Sequence, residues 1–130
     1  MPMEAERRQV ANYLRAIGPM AFQYSENLPN PYVVDMPAVL GHEHELLNPQ
    51  LNQHLASHNR MHVSRAGNSL EISPQYILSD ENFDMPLLHM KLPENGTDVR
   101  YVLNGKPLNL MQASLGDLQL AENLVRVIYA

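Results

Sequence analysis

The first apolar pattern along the chain has the period of an α-helix. Its apolar residues are spaced by three and four positions, which places them on a single face: Val10, Tyr13, Leu14 and Ile17. Gly18 and Pro19 follow directly, and a proline inside a helix removes a hydrogen bond and clashes with the preceding turn. The sequence therefore predicts an amphipathic N-terminal helix that ends at Gly18 and Pro19.

Segments in which apolar and polar residues alternate, as they do in β-strands, fill the middle of the chain. In the first of them, residues 20–27, Phe22 and Tyr24 would lie on one side. Pro37 limits the second, residues 32–40, to an edge or a short strand. The remaining strands are predicted within residues 60–65, 69–78, 85–92 and 99–103.

Two turn signals divide these strands. Ala66, Gly67 and Asn68 would close a hairpin, and Asn104 with Gly105 predicts a two-residue reversal after the last strand. Pro107 follows, and because proline has no N–H to donate, we expect strand pairing to stop there.

A wide apolar stripe with helical spacing predicts a C-terminal helix over residues 111–129. Its members are Leu115, Leu118, Ala121, Leu124, Val125 and Ile128. Ser114 and Asp117 resemble a capping box, which indicates that the helix begins later than Met111. A short helix is also predicted over residues 49–58, with Asn48 as its cap.

The order of these elements predicts the fold class. Strands grouped between an N-terminal and a C-terminal helix indicate an α+β fold with a mostly antiparallel sheet, and not a doubly wound α/β fold. The chain has 130 residues without repeats or a low-complexity linker, so we expect a single domain over residues 1–130.

The charge and composition limit the partners. The net charge of −5 disfavours binding to nucleic acid or to an anionic membrane. The chain has no cysteine, and its charged N-terminal segment has no apolar stretch like that of a signal peptide. Since no stretch is long and apolar enough to cross a membrane, we expect a cytoplasmic protein.

Six histidines are the strongest candidates for catalytic chemistry. His42 and His44 would lie on one side of a strand, and imidazoles on a common face can bind zinc or copper. The segment GHEHE has some character of a cupin, but the glutamate and glycine-rich turn that should follow are missing. Hydrolase and phosphate-loop motifs are absent as well, so we expect no enzyme activity, no cofactor and no metal site.

The C-terminal segment VRYVLNGKPLNLMQASLGDLQLAENLVRVIY resembles the same part of class I type III secretion chaperones. Pro107, Leu108 and Asn109 match an element that follows the last strand in that family. The leucine spacing of the final helix, the N-terminal helix, the length and the acidity agree as well. Residues 41–59 have no clear counterpart, which leaves the dimer interface unassigned.

The resemblance implies a function. It implies a homodimer in the bacterial cytoplasm that binds the N-terminal segment of a virulence effector in extended form and keeps it competent for type III secretion. Such a segment can add to a strand edge and place apolar side chains in grooves. The residues expected to contact it are Val10, Tyr13, Leu14, Ile17, Met20, Phe22 and Tyr24.

Two other functions stay open at this point. One is a small metal-dependent enzyme that uses the histidines, and the other is a generic dimeric adaptor. The apolar face of the N-terminal helix also has a second interpretation, since the same residues could belong to the core and not to a binding groove.

Overall fold

The computed structural model describes residues 2–35, 60–75, 87–96 and 98–129. Two helices and a short 3₁₀ turn accompany the strands in this part of the chain. The elements are α1 (Pro2–Ser25), β1 (Tyr32–Asp35), β2 (Arg60–Ala66), β3 (Ser69–Gln75), β4 (Leu88–Lys91), β5 (Arg100–Leu103), β6 (Lys106–Pro107), α2 (Leu115–Arg126) and the 3₁₀ turn Val127–Tyr129. The α+β class predicted from the sequence is confirmed.

The described strands form one antiparallel sheet in which each strand pairs with its neighbour in sequence, in the order β1-β2-β3-β4-β5-β6. The register keeps apolar residues in line across the sheet. One row across four strands consists of Val63, Ile72, Leu88 and Leu103, and each residue lies opposite the next. Because side chains alternate along a strand, this register collects the apolar residues on one face.

That face of the sheet and the two helices share one hydrophobic core. Met61, Leu70, Ile72, Leu88 and Met90 are fully buried on the sheet side. The helices and the 3₁₀ turn contribute a second set of buried residues: Leu14, Ala21, Leu118, Leu124, Val125 and Ile128. Both helices therefore lie against the same face, and they also pack against each other.

The predicted end of the first helix is wrong, and so is the strand predicted over residues 20–27. Helix α1 continues through Gly18 and Pro19 and ends at Ser25. The buried positions Leu14, Ala21 and Phe22 keep helical spacing across the proline. Burial of these residues offsets the missing hydrogen bond of Pro19, because tertiary packing routinely overrides local propensity.

The C-terminal end of α1 is fixed by Arg65 of β2. Its guanidinium donates hydrogen bonds to the main-chain oxygen of Phe22, at 2.6 Å, and to the hydroxyl of Ser25, at 3.1 Å. It also forms an ion pair with Glu26 at 3.5 Å. The last turn of α1 has no basic residue of its own, so this arginine supplies the cation that a helix C-terminus favours.

The predicted hairpins are confirmed. Asn104 and Gly105 connect β5 to β6, both with positive φ angles of 51° and 80°, as a tight type I′ turn requires. The hairpin between β2 and β3 turns at Gly67 and Asn68. Gly67 also has a positive φ, of 57°.

Strand β6 ends at Pro107, as predicted, and the proline itself still belongs to the ladder. It lies opposite Val102, and the next residue, Leu108, donates its N–H to the oxygen of Tyr101 at 2.9 Å. Hydrogen-bonded and non-hydrogen-bonded pairs alternate in an antiparallel ladder. Pro107 therefore occupies a non-hydrogen-bonded pair, and its nitrogen points away from β5. The missing N–H removes no hydrogen bond from the ladder.

The late start predicted for the C-terminal helix is confirmed. Ser114 is the N-cap of α2, and its hydroxyl accepts a hydrogen bond from the N–H of Asp117 at 3.2 Å. The helix predicted over residues 49–58 lies outside the described residues, as does the end of the second predicted strand beyond Asp35.

Candidate partner-binding surface

The seven residues expected to contact a partner occupy three different environments. Leu14 and Phe22 belong to the core, with exposed fractions of 0% and 3%. Val10 and Ile17 are half-buried and pack against the core. The remaining three, Tyr13, Met20 and Tyr24, are half-buried or exposed.

Four residues of α1 form a continuous row beside the buried face. They lie at positions i, i+4, i+7 and i+11, so they share one flank of the helix. We name this row the apolar stripe: Tyr13, Ile17, Met20 and Tyr24. Met20 is 56% exposed and Tyr24 is 39% exposed. The stripe runs through the part of α1 that the sequence pattern assigned to a strand.

Tyr129, in the 3₁₀ turn after α2, extends the stripe. Its ring centroid lies 4.7 Å from that of Tyr24, with a tilt of 31° between the rings. Such a pair contributes about 1 kcal/mol beyond the burial of its area. The C-terminal turn is therefore held against the end of the stripe.

The environment of Tyr129 is poor in water. Burial raises the pKa of its hydroxyl above the usual value, and the nearby hydroxyls of Tyr13 and Tyr24 raise this pKa further. Its oxygen is buried and has no hydrogen-bond partner within the described residues. The apolar stripe contains no acidic or basic side chain, and it offers aromatic rings, a flexible thioether and tyrosine hydroxyls to a ligand.

The outer edge of β1 is the second candidate surface. The side chain of Asn30 exchanges two hydrogen bonds with the main chain of Arg65, at 2.8 and 3.1 Å, so the main-chain groups of Arg65 point toward the β1 side. By the same alternation, Tyr32 and Val34 pair with β2. The N–H and C=O of Val33 consequently point away from the described sheet, and its side chain is 42% exposed.

The histidines are mostly beyond the described residues. His42, His44, His54 and His58 lie there, so the two candidate ligands named from the sequence, His42 and His44, are not part of the described fold. His62 and His89 lie on β2 and β4, with β3 between them. In the described ranges, no group of three His, Cys, Asp or Glu side chains is placed to hold a metal ion.

Comparison of the chain with protein-family models, with curated proteins and with solved structures finds no significant match in any of the three. Neither described helix combines the length and the apolar character that a membrane crossing needs. The functional interpretation therefore depends on the surfaces of the chain itself.

Proposed function

We propose that the chain is a non-catalytic secretion chaperone of the class I type III kind. It binds the N-terminal segment of a secreted effector in extended form and keeps that segment soluble until export. In this proposal the chaperone acts as a homodimer in the bacterial cytoplasm, without a cofactor.

The apolar stripe is the observation that carries this proposal. A run of neighbouring apolar residues on the surface is characteristic of protein-interaction sites. Methionine and tyrosine suit such a site, since Met20 can adapt to different side chains and Tyr24 is large with a polar tip. The stripe borders the core, so a bound segment would extend an existing hydrophobic layer.

The outer edge of β1, with which no described strand pairs, supports the extended form of the bound segment. Peptides that add to a sheet edge obtain affinity from main-chain hydrogen bonds and specificity from alternate side chains. Val33 offers both an outward-pointing main chain and an exposed apolar side chain at that edge. The α+β order of the elements and the net charge of −5 agree with the resemblance noted in the sequence.

A pull-down from the native bacterium tests the proposal, with the tagged wild-type chain and two variants. Met20→Asp places a charge in the apolar stripe without disturbing the core. Asn12→Asp is the matched control, because it introduces the same charge on an exposed position of α1 outside the stripe. We expect the wild type and Asn12→Asp to retain one stoichiometric protein, and Met20→Asp to lose it.

Limited proteolysis and light scattering complete the experiment. The retained protein should be protected only near its N-terminus, and the free chaperone should have twice the mass of one chain. A partner that Met20→Asp retains as well as the wild type would show that the stripe is not the docking surface. Recovery of no stoichiometric partner would contradict the chaperone function itself.

A further inference from the structure

A notch opens in the sheet edge where β6 stops pairing with β5. After Leu108 the chain turns away, because the side-chain oxygen of Asn109 accepts the N–H of Met111 at 2.9 Å. The main-chain oxygen of Asn109 accepts the N–H of Ala113 at 2.7 Å. On the β6 side, this turn leaves the start of β5 without a pairing strand among the described residues, while its other side pairs with β4.

The notch leads into a cavity of about 590 Å³. Its lining comes from three directions, namely from α1, from the β4–β5 pair and from residues 107–111. The volume falls within the range of small-molecule sites. The volume is therefore sufficient for a compact ligand.

Basic side chains are concentrated at this cavity. Within the described side chains, four bases form no ion pair: Arg15, Lys91, Arg100 and Lys106. The first three line the cavity, and Asp98 is the one acidic residue among the lining residues. In a chain with a net charge of −5, this is a local excess of positive charge.

Two of these bases face each other. Lys91 of β4 and Arg100 of β5 are direct cross-strand partners, so their side chains lie on the same face of the sheet. Like charges at such a pair destabilise a sheet. A bound anion would turn this repulsion into a pair of charge-assisted hydrogen bonds.

The rest of the cavity is a mixture of apolar and polar groups. Pro107 and Leu108 contribute apolar surface, and Met111 is 72% exposed at its rim. His89 also lines the cavity, and its Nε2 atom is buried without a hydrogen-bond partner in the described part of the chain. The site thus combines a cationic end with an apolar wall.

We propose that this cavity binds a small organic anion, in which a carboxylate or phosphate group is carried on an apolar body. The anionic group lies between Lys91 and Arg100, and the apolar body packs against Pro107 and Leu108. The site is independent of the proposed effector binding, because Arg15 lies on the flank of α1 opposite the apolar stripe.

Titration of the ¹⁵N-labelled chain, followed by NMR, tests the proposal. The probes are hexanoate and hexyl phosphate, with hexanamide as the neutral control and acetate as the control without an apolar body. We expect hexanoate or hexyl phosphate to shift the amide signals of Lys91 and Arg100, with a dissociation constant on the order of 1–10 mM. Hexanamide and acetate should bind more weakly.

The double variant Lys91→Gln with Arg100→Gln should bind the anions about fivefold more weakly, as expected for two exposed charge pairs. Lys106→Gln is the matched control, since it removes an unpaired base that does not line the cavity. The double variant removes a like-charge pair, so it should be at least as stable as the wild type, and thermal melts check this.

Several results would overturn the proposal. They are no signal shift at millimolar anion, equal binding of hexanamide and hexanoate, and an equal loss of affinity in Lys106→Gln. A pentapeptide that alternates glutamate with leucine is the last probe. If this peptide binds more tightly than hexanoate, and if the double variant no longer binds it, the occupant of the cavity is a peptide and not a small anion.

Discussion

The hydroxyl of Tyr101, on β5, donates a 2.5 Å hydrogen bond to the main-chain oxygen of Leu14, in the middle of α1. Both residues are buried, so the bond connects the sheet to the helix inside the core. Leu14 lies one residue before Arg15. The main-chain oxygen of Arg15 has no helical donor, because Pro19, four residues later, has no N–H. Helix α1 is thus anchored to β5 close to the point where its own ladder is interrupted.

Removal of this hydroxyl should weaken the fold. We expect Tyr101→Phe to lower the free energy of unfolding by about 1 kcal/mol, the usual net contribution of one buried hydrogen bond. Tyr24→Phe is the control, because Tyr24 is 39% exposed and should change stability by less than about 0.5 kcal/mol. Urea unfolding followed by circular dichroism measures both. Equal effects would mean that the bond to Leu14 contributes nothing.

Gly18 is required by the close approach of α1 to β5. A Cβ atom at this position would lie 2.7 Å from the hydroxyl oxygen of Tyr101 and 2.9 Å from Cβ of Val99. Alanine gains about 1 kcal/mol of helix propensity over glycine, but overpacking costs about 1–3 kcal/mol. We therefore expect Gly18→Ala to destabilise the protein by about 1 kcal/mol.

Gly116 provides the matched control for that substitution. It lies in the first turn of α2, and an added Cβ would meet no atom within 4 Å. Gly116→Ala should be neutral or stabilising by up to about 1 kcal/mol. Thermal melts of the two variants compare them directly, and a stabilising Gly18→Ala would disprove the tight helix–strand contact.

Aspartate substitutions along α1 should separate core from surface. Leu14 is fully buried, so Leu14→Asp should destabilise the fold by about 4 kcal/mol or more, since it buries a charge without a partner. Met20→Asp should stay within about 1 kcal/mol of the wild type, because the side chain is exposed. Chemical unfolding measures the difference. Similar losses in both variants would place Met20 in the core as well.

Stability should fall at alkaline pH. Burial raises the pKa of Tyr101 far above its usual value, with smaller contributions from the hydroxyls of Tyr129 and Tyr13. In the unfolded chain a tyrosine loses its proton near pH 10. Above that pH the native state holds the proton more tightly than the unfolded state, so the free energy of unfolding decreases as pH rises.

The slope of this decrease identifies the group. Tyr101 alone contributes at most about 1.4 kcal/mol per pH unit above about pH 10. Urea unfolding of the wild type and of Tyr101→Phe, measured as a function of pH, should show a shallower decrease in the variant. Parallel curves would mean that Tyr101 does not titrate differently in the two states.

Local patterns were sufficient to predict most of the sheet. The alternation at Met61, Val63, Leu70 and Ile72 and the turn at Asn104 each depend on a few neighbouring residues, and both agree with the structure. The end of α1 depends instead on distant groups. Arg65 and the apolar face of the sheet hold the helix beyond Pro19, and neither can be inferred from residues 18–25.

The surfaces were only partly predictable for the same reason. The helical spacing of Tyr13, Ile17, Met20 and Tyr24 is present in the sequence, but a strand assignment for residues 20–27 conceals it. The position of Tyr129 beside Tyr24, and the cavity lined by Lys91 and Arg100, both depend on contacts between segments that are far apart in the sequence. The one local signal for the cavity is Asn109, whose preference for turns indicates that β6 is short.

Helix α1 is stabilised by contacts with residues that lie far along the sequence. Arg7 donates a hydrogen bond to the oxygen of Leu110, which lies 103 residues further along the chain, and Leu14 accepts its bond from a residue 87 positions away. During synthesis α1 therefore leaves the ribosome long before β5 and α2 exist. The apolar face of α1 therefore stays exposed until these elements have been synthesised. We expect folding to be slow, because it requires the closure of long loops, and we expect aggregation to compete with folding during this period.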